Sequence, residues 1–256
     1  HDDIGLGFDD HDVSLAGYDP PKHRHFLIEY FTGRFADSPA RGLLFGQNLK
    51  TGDARFTGSL ASLVGLESAL ERQDEHAIEA AIKTIVLLHS LILSFGGIPL
   101  IYYGDALGTL NDMAYMADPF KANDTRWAHR SHFDWGKAEK RHQSGTLEHQ
   151  LFGALKKLIT LRKELVAFAD VGNRQLLPVN NLNLLAFLRT DAKNSHNKVL
   201  VVANFNTEPQ SLDMAALRSS VLFQRDSVKD LVTGNRLTLD NQSLSVPPLS
   251  FYWLSE

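Results

Sequence analysis

The sequence predicts a piece of a β/α barrel followed by an antiparallel β-sandwich. Three observations carry this expectation. An apolar pattern of helical spacing begins near Asp74 and runs directly into a continuously apolar segment that stops at Gly104-Asp105. A second leucine-spaced helix follows an irregular stretch, and beyond about Asn173 the hydrophobic period drops to two.

Residues 1–73 are rich in Gly, Asp and aromatic side chains, with short amphipathic pieces at Lys22–Phe35 and Ser59–Leu70 but no strand-helix regularity. That texture suits a long functional insertion. Residues 74–172 hold the barrel-like part. Ala77, Ile78, Ala81, Ile82, Ile85, Val86, Leu88, Ile92 and Phe95 fall on helical spacing, opened by Asp74 and Glu75 and stopped by Gly96-Gly97. Ile98-Pro99-Leu100-Ile101-Tyr102-Tyr103 then reads as a strand buried on both faces, as in a parallel sheet. Leu147, Leu151, Leu155, Leu158, Leu161 and Leu165 mark the next helix, with Thr146 as its expected cap. Residues 173–256 form the sandwich, with strands expected at Leu184–Leu188, Val199–Phe205, Val221–Phe223, Arg236–Leu239 and Leu249–Leu254, and turns at Asn194-Ser195 and Gly234-Asn235.

The bulk chemistry narrows the class. With 43% hydrophobic and 22% charged side chains among 256 residues, the chain can bury one large or two modest cores. The 26 basic and 30 acidic residues give a net charge of -4 without a Lys/Arg block, which argues against a nucleic-acid partner. The absence of cysteine removes disulfide, zinc-thiolate and thiol chemistry. A reducing cytoplasm fits, and a periplasm or secretion fits as well. The apolar stretch Ile85–Phe95, interrupted by His89 and Ser90, is too short by itself to span a bilayer and reads as a buried helix, so no membrane partner is expected. Nothing near His1 resembles a signal peptide, and a chain opening on His rather than Met reads as a fragment or processed piece.

The motifs that could carry chemistry are collinear. His1-Asp2-Asp3 would be informative at the tip of a barrel strand, where that architecture places catalytic side chains. Gly97 to Asp105 would be the following strand. Together with Gly17-Tyr18-Asp19, Asn48 to Arg55 with its Thr51-Gly52-Asp53, Leu107 to Asp112, Asp124 to Arg130 and Val246-Pro247-Pro248 to Trp253-Leu254, the chain resembles the amylosucrase branch of the α-amylase superfamily over essentially its whole length. The resemblance implies the last part of a TIM (β/α)8 barrel, strands 7 and 8 with their helices, followed by the sandwich domain. It also implies a retaining enzyme that moves the glucosyl unit of sucrose to an α-1,4-glucan or to water, with no cofactor and no metal.

Such enzymes pass through an oxocarbenium-like transition state between a carboxylate nucleophile and a carboxylic acid, with hydrogen bonds to sugar hydroxyls that strengthen as the ring distorts. By resemblance Asp2 is a third acid that grips the glucosyl hydroxyls and stabilises the transition state, through charge-assisted bonds worth about 1.5 to 3 kcal/mol each. His1 and Asp3 would line the same pocket. Arg126 would sit at the pocket mouth in a salt bridge that closes it, and Arg24 and Arg55 at acceptor subsites. Phe8, Tyr18, Phe26, Phe31, Phe45 and Trp127 could stack on sugar rings, although aromatic side chains in such numbers are more often core. Gly104-Asp105-Ala106 departs from the family pattern by having Ala where Glu is usual.

The nucleophile and the acid/base of this superfamily lie on strands four and five, before the point at which this sequence opens, so the chain is expected to be inactive alone. The first half of the same enzyme is an expected partner, besides sucrose and α-glucan oligosaccharides. Two other readings stay open. One is a non-catalytic carbohydrate-binding or assembly module. The other is a metal-dependent hydrolase built on His1, Asp2, Asp3, Asp9, Asp10, His11 and Asp12.

Overall fold

The computed structural model describes residues 3–215, 217, 227–239 and 242–256, and of Asp3 the backbone alone. His1, Asp2 and the strand expected at Val221–Phe223 lie outside the described residues. Contacts divide the chain into two compact units that do not follow chain order: His1–Ile82 with Tyr102–Gln150, and Lys83–Ile101 with Leu151–Glu256.

The first unit is built on a small sheet that periodicity did not reveal. Its strands β1 (Asp3–Ile4), β2 (Leu43–Phe45) and β3 (Arg55–Thr57) lie in the order β1-β3-β2, all antiparallel. Two or three residues per strand are too few to display a period of two, so the pattern stays silent. Helices α1 (Asp10–Leu15) and α2 (Pro20–Phe31) start where their capping chemistry dictates. Asp9 accepts from the His11 amide, and Asp19 accepts from the Lys22 amide with Pro20 and Pro21 in the first turn. Phe31 of α2 stacks on Phe56 of β3 at 4.6 Å and 11°. Gly42 makes that approach possible, because a Cβ there would stand 2.4 Å from the Phe31 carbonyl oxygen. The amphipathic stretch Ser59–Leu70 is two helices, α3 (Leu60–Leu63) and α4 (Leu66–Arg72), separated at Gly65 with φ of +93°.

Helix α5 (Glu75–Phe95) matches its predicted start and stop. At 21 residues it is long and apolar enough to cross a membrane by length and composition. Three of its polar side chains bond back along the helix: the Ser90 and Ser94 hydroxyls donate to the Leu87 and Ser90 carbonyls, and the His89 ring pairs through Nδ1 with the Ile85 carbonyl. Leu93 belongs to a buried cluster with Leu158, Phe168, Phe187 and Trp253.

The strand expected at Ile98–Tyr103 is absent. Among the described residues the segment has no ladder partner, and Ile98 and Leu100 are 93% and 74% exposed where burial on both faces was expected. Apolarity marks a chain suited to a parallel sheet, but a strand exists only when neighbours accept its main-chain hydrogen bonds. Among the described residues every strand pair is antiparallel, and a barrel portion is not evident.

Beyond Tyr102 the first unit continues as 3-10 turns at Asp105–Leu107, Met113–Ala117 and Thr125–His129, the last two capped by Asp112 and Asp124, and ends with α6 (Trp135–Glu139). Asn111 fastens this irregular part. Its amide donates to the Arg41 carbonyl at 2.6 Å, its side-chain oxygen accepts from the Ser59 amide at 2.8 Å, and its own backbone amide reaches the Ser62 hydroxyl at 2.9 Å.

In the second unit, helix α7 (Leu147–Glu164) and α5 contribute to one cluster, and an antiparallel β-domain supplies the rest. Strands β4 (Arg174–Leu177), β5 (Leu184–Thr190), β6 (Lys198–Asn204), β7 (Gln210–Asp213), β8 (Ser227–Asp230), β9 (Arg236–Thr238), β10 (Ser243–Val246) and β11 (Ser250–Ser255) form two sheets. Six of them lie in the order β4-β5-β6-β11-β8-β9, and β7 pairs with β10. Leu184, Ala186, Leu188, Leu200 and Leu254 of the larger sheet share a core with Leu212, Leu244 and Val246 of the smaller one.

Three arginines close the end of α5. Arg162 donates to the carbonyls of Leu93 and Gly97, Arg174 to that of Phe95, and the fully buried Arg189 to those of Ser94 and Asp170 and to the Asn173 side chain. The Leu93, Ser94 and Phe95 carbonyls are among those that a helix terminus leaves without intrahelical partners. Burial and the neighbouring Arg162 and Arg174 push the Arg189 guanidinium down to about 10.

Candidate functional site

The small sheet of the first unit gathers several of the expected site residues. Arg55 stands directly opposite Phe45 in the β2–β3 register, so the two share a face of the sheet. Asp3 holds the register position opposite Thr57. The Arg126 guanidinium lies over the Phe45 ring at 4.5 Å from its centroid, which brings it to the same face as Arg55. Thr125 anchors the turn by donating its hydroxyl to the Leu44 carbonyl at 2.8 Å.

Arg126 is held as a fork. Its Nε donates to Asp124 Oδ1 at 2.9 Å and its Nη2 to Asp124 Oδ2 at 2.9 Å, while Asp124 Oδ1 also accepts the Arg126 amide at 3.0 Å. One carboxylate therefore caps the turn and aims the side chain. These bonds hold the Asp124 carboxyl below the usual carboxylate range, with Arg130 contributing in the same direction. Sequence reasoning passed over Asp124 as a participant, although the Asp-Thr-Arg spacing was the available signal.

Arg24 makes a different set of contacts. Its Nε donates to the Leu6 carbonyl and its Nη2 to the Phe8 carbonyl, each at 3.1 Å; it also pairs with the Asp10 carboxylate and lies over the Phe8 ring. It thereby fastens the segment after β1 to α2. A groove of about 590 Å³ beside it is lined by Lys22, His25, Ile28 and Thr51 to Asp53.

Most of the candidate aromatic platforms are covered. Phe31 lies against Phe56, Phe45 under Arg126 and Phe8 against Arg24 and His23, and Trp127 carries Lys121 at 4.9 Å and Arg130 at 5.8 Å. Tyr18 stacks on His23 at 5.0 Å yet is 59% exposed, and with Phe26 it lines a second groove. Of the expected metal cluster, His1, Asp2 and the Asp3 side chain lie outside the described residues. Asp9 caps α1, Asp10 pairs with Arg24, and among the described residues no group of three or more His, Asp or Glu could hold a metal ion. Near the sequence departure, Asp105 is buried, and partial burial together with Tyr103 pushes the Tyr102 phenol up to about 12.

Comparison with known proteins follows this geometry. Residues 174–253 match the family described as Maltogenic Amylase, C-terminal domain. Glucosylglycerate phosphorylase of Escherichia coli (strain K12) is 26% identical over 174 residues, covering 67% of this chain and 29% of its own length. Trehalose synthase of Thermus thermophilus is 27% identical over 153 residues, covering 50% of this chain and 15% of its own. A pullulanase structure from Bacillus acidopullulyticus superposes with a TM-score of 0.53 over 92% of this chain and 27% of that one, at 14% identity, a likeness of fold alone. The chain is thus related to glycoside hydrolases and glycosyltransferases of the α-amylase superfamily, with an antiparallel C-terminal domain of their type, and it spans less than a third of the length of the two curated relatives.

Proposed function

We propose that the chain is the C-terminal part of a sucrose-acting retaining α-glucosyl transferase or hydrolase of the amylosucrase type. The observation that carries the reading is the convergence of Arg126 and Arg55 on one face of a sheet whose first strand begins at Asp3, directly after His1-Asp2. In this reading Asp2 stabilises the transition state, and His1 and Asp3 line the glucosyl pocket. Arg126 guards its mouth, and Arg55 reaches the acceptor from β3. Arg24 serves the acceptor side by holding the loop, since its carbonyl and carboxylate contacts support that role.

The nucleophile and the acid/base come from the first half of the enzyme. The exposed Ile98 and Leu100 support docking of that half against the unpaired apolar segment. The isolated 256-residue chain should release no glucose or fructose from sucrose. A polypeptide that includes the preceding half should do so, and Asp2→Asn should reduce its kcat by orders of magnitude. Sucrose turnover by the longer polypeptide that is indifferent to Asp2→Asn would sink the assignment.

The exposed Tyr18 and Phe26 favour a second reading, in which this chain binds α-glucan without chemistry. Calorimetric titration with maltooligosaccharides separates the two: binding lost in Tyr18→Ala but kept in Arg126→Ala supports the binding module.

A further inference from the structure

We propose that Trp135, restrained by Phe133 and Tyr103, is a platform on which an α-glucan chain stacks, at a site that uses neither Arg126 nor Tyr18. The choice of ligand rests on the reading that the parent enzyme handles α-glucan.

Of the three tryptophans, Trp253 is fully buried and Trp127 carries Lys121 and Arg130, but Trp135, the first residue of α6, is 74% exposed. A side chain of this kind is highly buried on average. Nor does it stand alone on the surface. The Phe133 ring meets it at 4.7 Å and 72°, and Tyr103, itself 44% exposed, meets Phe133 at 5.7 Å and 61°. Tyr102 continues the row at 4.4 Å from Tyr103. Edge contacts of this geometry are favourable between aromatic rings, and they restrain the indole while leaving most of it open. The Tyr103 hydroxyl donates to the Ser131 carbonyl, which ties the row to the chain just ahead of Phe133.

Polar groups complete the platform. Asp134, the cap of α6, accepts the Lys137 amide through Oδ1 at 2.8 Å, and among the described residues its Oδ2 and the Trp135 Nε1 hydrogen have no partner. The Lys137 amine is spent on the Gly108 carbonyl at 2.9 Å. A pyranose ring presents C–H groups on its face and hydroxyls at its rim, so a flat apolar surface beside one acceptor and one donor matches it. Area argues against a protein in the same place. At these exposures Trp135 and Tyr103 together offer no more than about 300 Å², whereas a stable complex takes about 800 Å² from each partner.

Calorimetric titration of maltoheptaose into the 256-residue chain, Trp135→Ala, Tyr18→Ala and Arg126→Gln tests the platform. The expected result is a binding event in the parent chain that Trp135→Ala loses and that Tyr18→Ala and Arg126→Gln both keep. The proposal is overturned by a parent chain that does not bind, by survival of every event in Trp135→Ala, or by loss of the same event in Tyr18→Ala or Arg126→Gln. Because the indole is mostly exposed, Trp135→Ala should fold; if it does not, Trp135→Gln replaces it under the same criteria. Sedimentation addresses the rival occupant: self-association that Trp135→Ala abolishes, without maltoheptaose binding, would make this face a contact between copies and also overturns the proposal. The sucrose assignment is judged by turnover in the longer polypeptide and its Asp2→Asn variant, so failure of the platform and failure of that assignment are distinguishable.

Discussion

At Arg126 the direction of a long, flexible side chain is set two residues upstream and one strand away. Asp124 fixes two of its nitrogens and Phe45 supports its plane. The bond to Arg126 keeps the Asp124 carboxyl below its ordinary value, which means that the folded chain binds that proton less tightly than the unfolded chain. The stabilisation is therefore complete above the unfolded carboxyl value of about 4 and is lost as the pH falls through the lower folded value. Urea midpoints of the parent chain and Asp124→Asn should differ at pH 6 and begin to converge once the pH falls below about 4; a gap that stays constant would mean that the carboxylate charge contributes nothing. Side-chain identity was legible here, since Arg126 stands out in its motif. Its partner was not, because a sequence shows which charges are near in the chain and not which of them a turn folds together. Arg24 illustrates the same limit: the sequence does not show that its donors reach the Leu6 and Phe8 carbonyls.

The elements divide by length. Long helices α5 and α7 and the strands β5, β6 and β11 carry enough residues for their period to show, and each lies within a residue or two of where the pattern puts it. The short strands β1, β2 and β3 were invisible to periodicity, yet they are what brings Arg55 and Phe45 face to face. A glycine marks their packing instead. At Gly42 an added methyl group would meet the Phe31 carbonyl oxygen at 2.4 Å and Leu63 Cδ2 at 2.8 Å. Gly42→Ala should destabilise the chain by about 1 to 3 kcal/mol, measured by denaturant unfolding, because the Phe31 carbonyl is backbone and cannot yield without moving the end of α2. Unchanged stability would show that the α2–β2 approach is looser than this geometry. The apolar run at Ile98–Tyr103 is the opposite case, a strong pattern without a strand, since hydrogen-bonding neighbours belong to the surroundings and not to the segment.

For the molecule as a whole, the exposed apolar side chains set its behaviour in solution. Ile98 and Leu100, two residues apart, are 93% and 74% exposed. Replacing both by Gln should reduce self-association in light scattering while changing folding stability by no more than about 0.5 kcal/mol per site. A large drop in the unfolding midpoint would instead place these side chains in a buried contact. Cohesion of the second unit rests partly on another device, the three guanidiniums gathered at the end of α5. Their acceptors are the carbonyls of Leu93, Ser94, Phe95, Gly97 and Asp170 and the amide of Asn173, none of which takes up a proton in ordinary buffers. Souring the solution can therefore disarm an aspartate-held arginine such as Arg126 while this knot stays tied, so acid reaches the first unit at the turn that carries Arg126 and leaves the arginine knot of the second unit untouched.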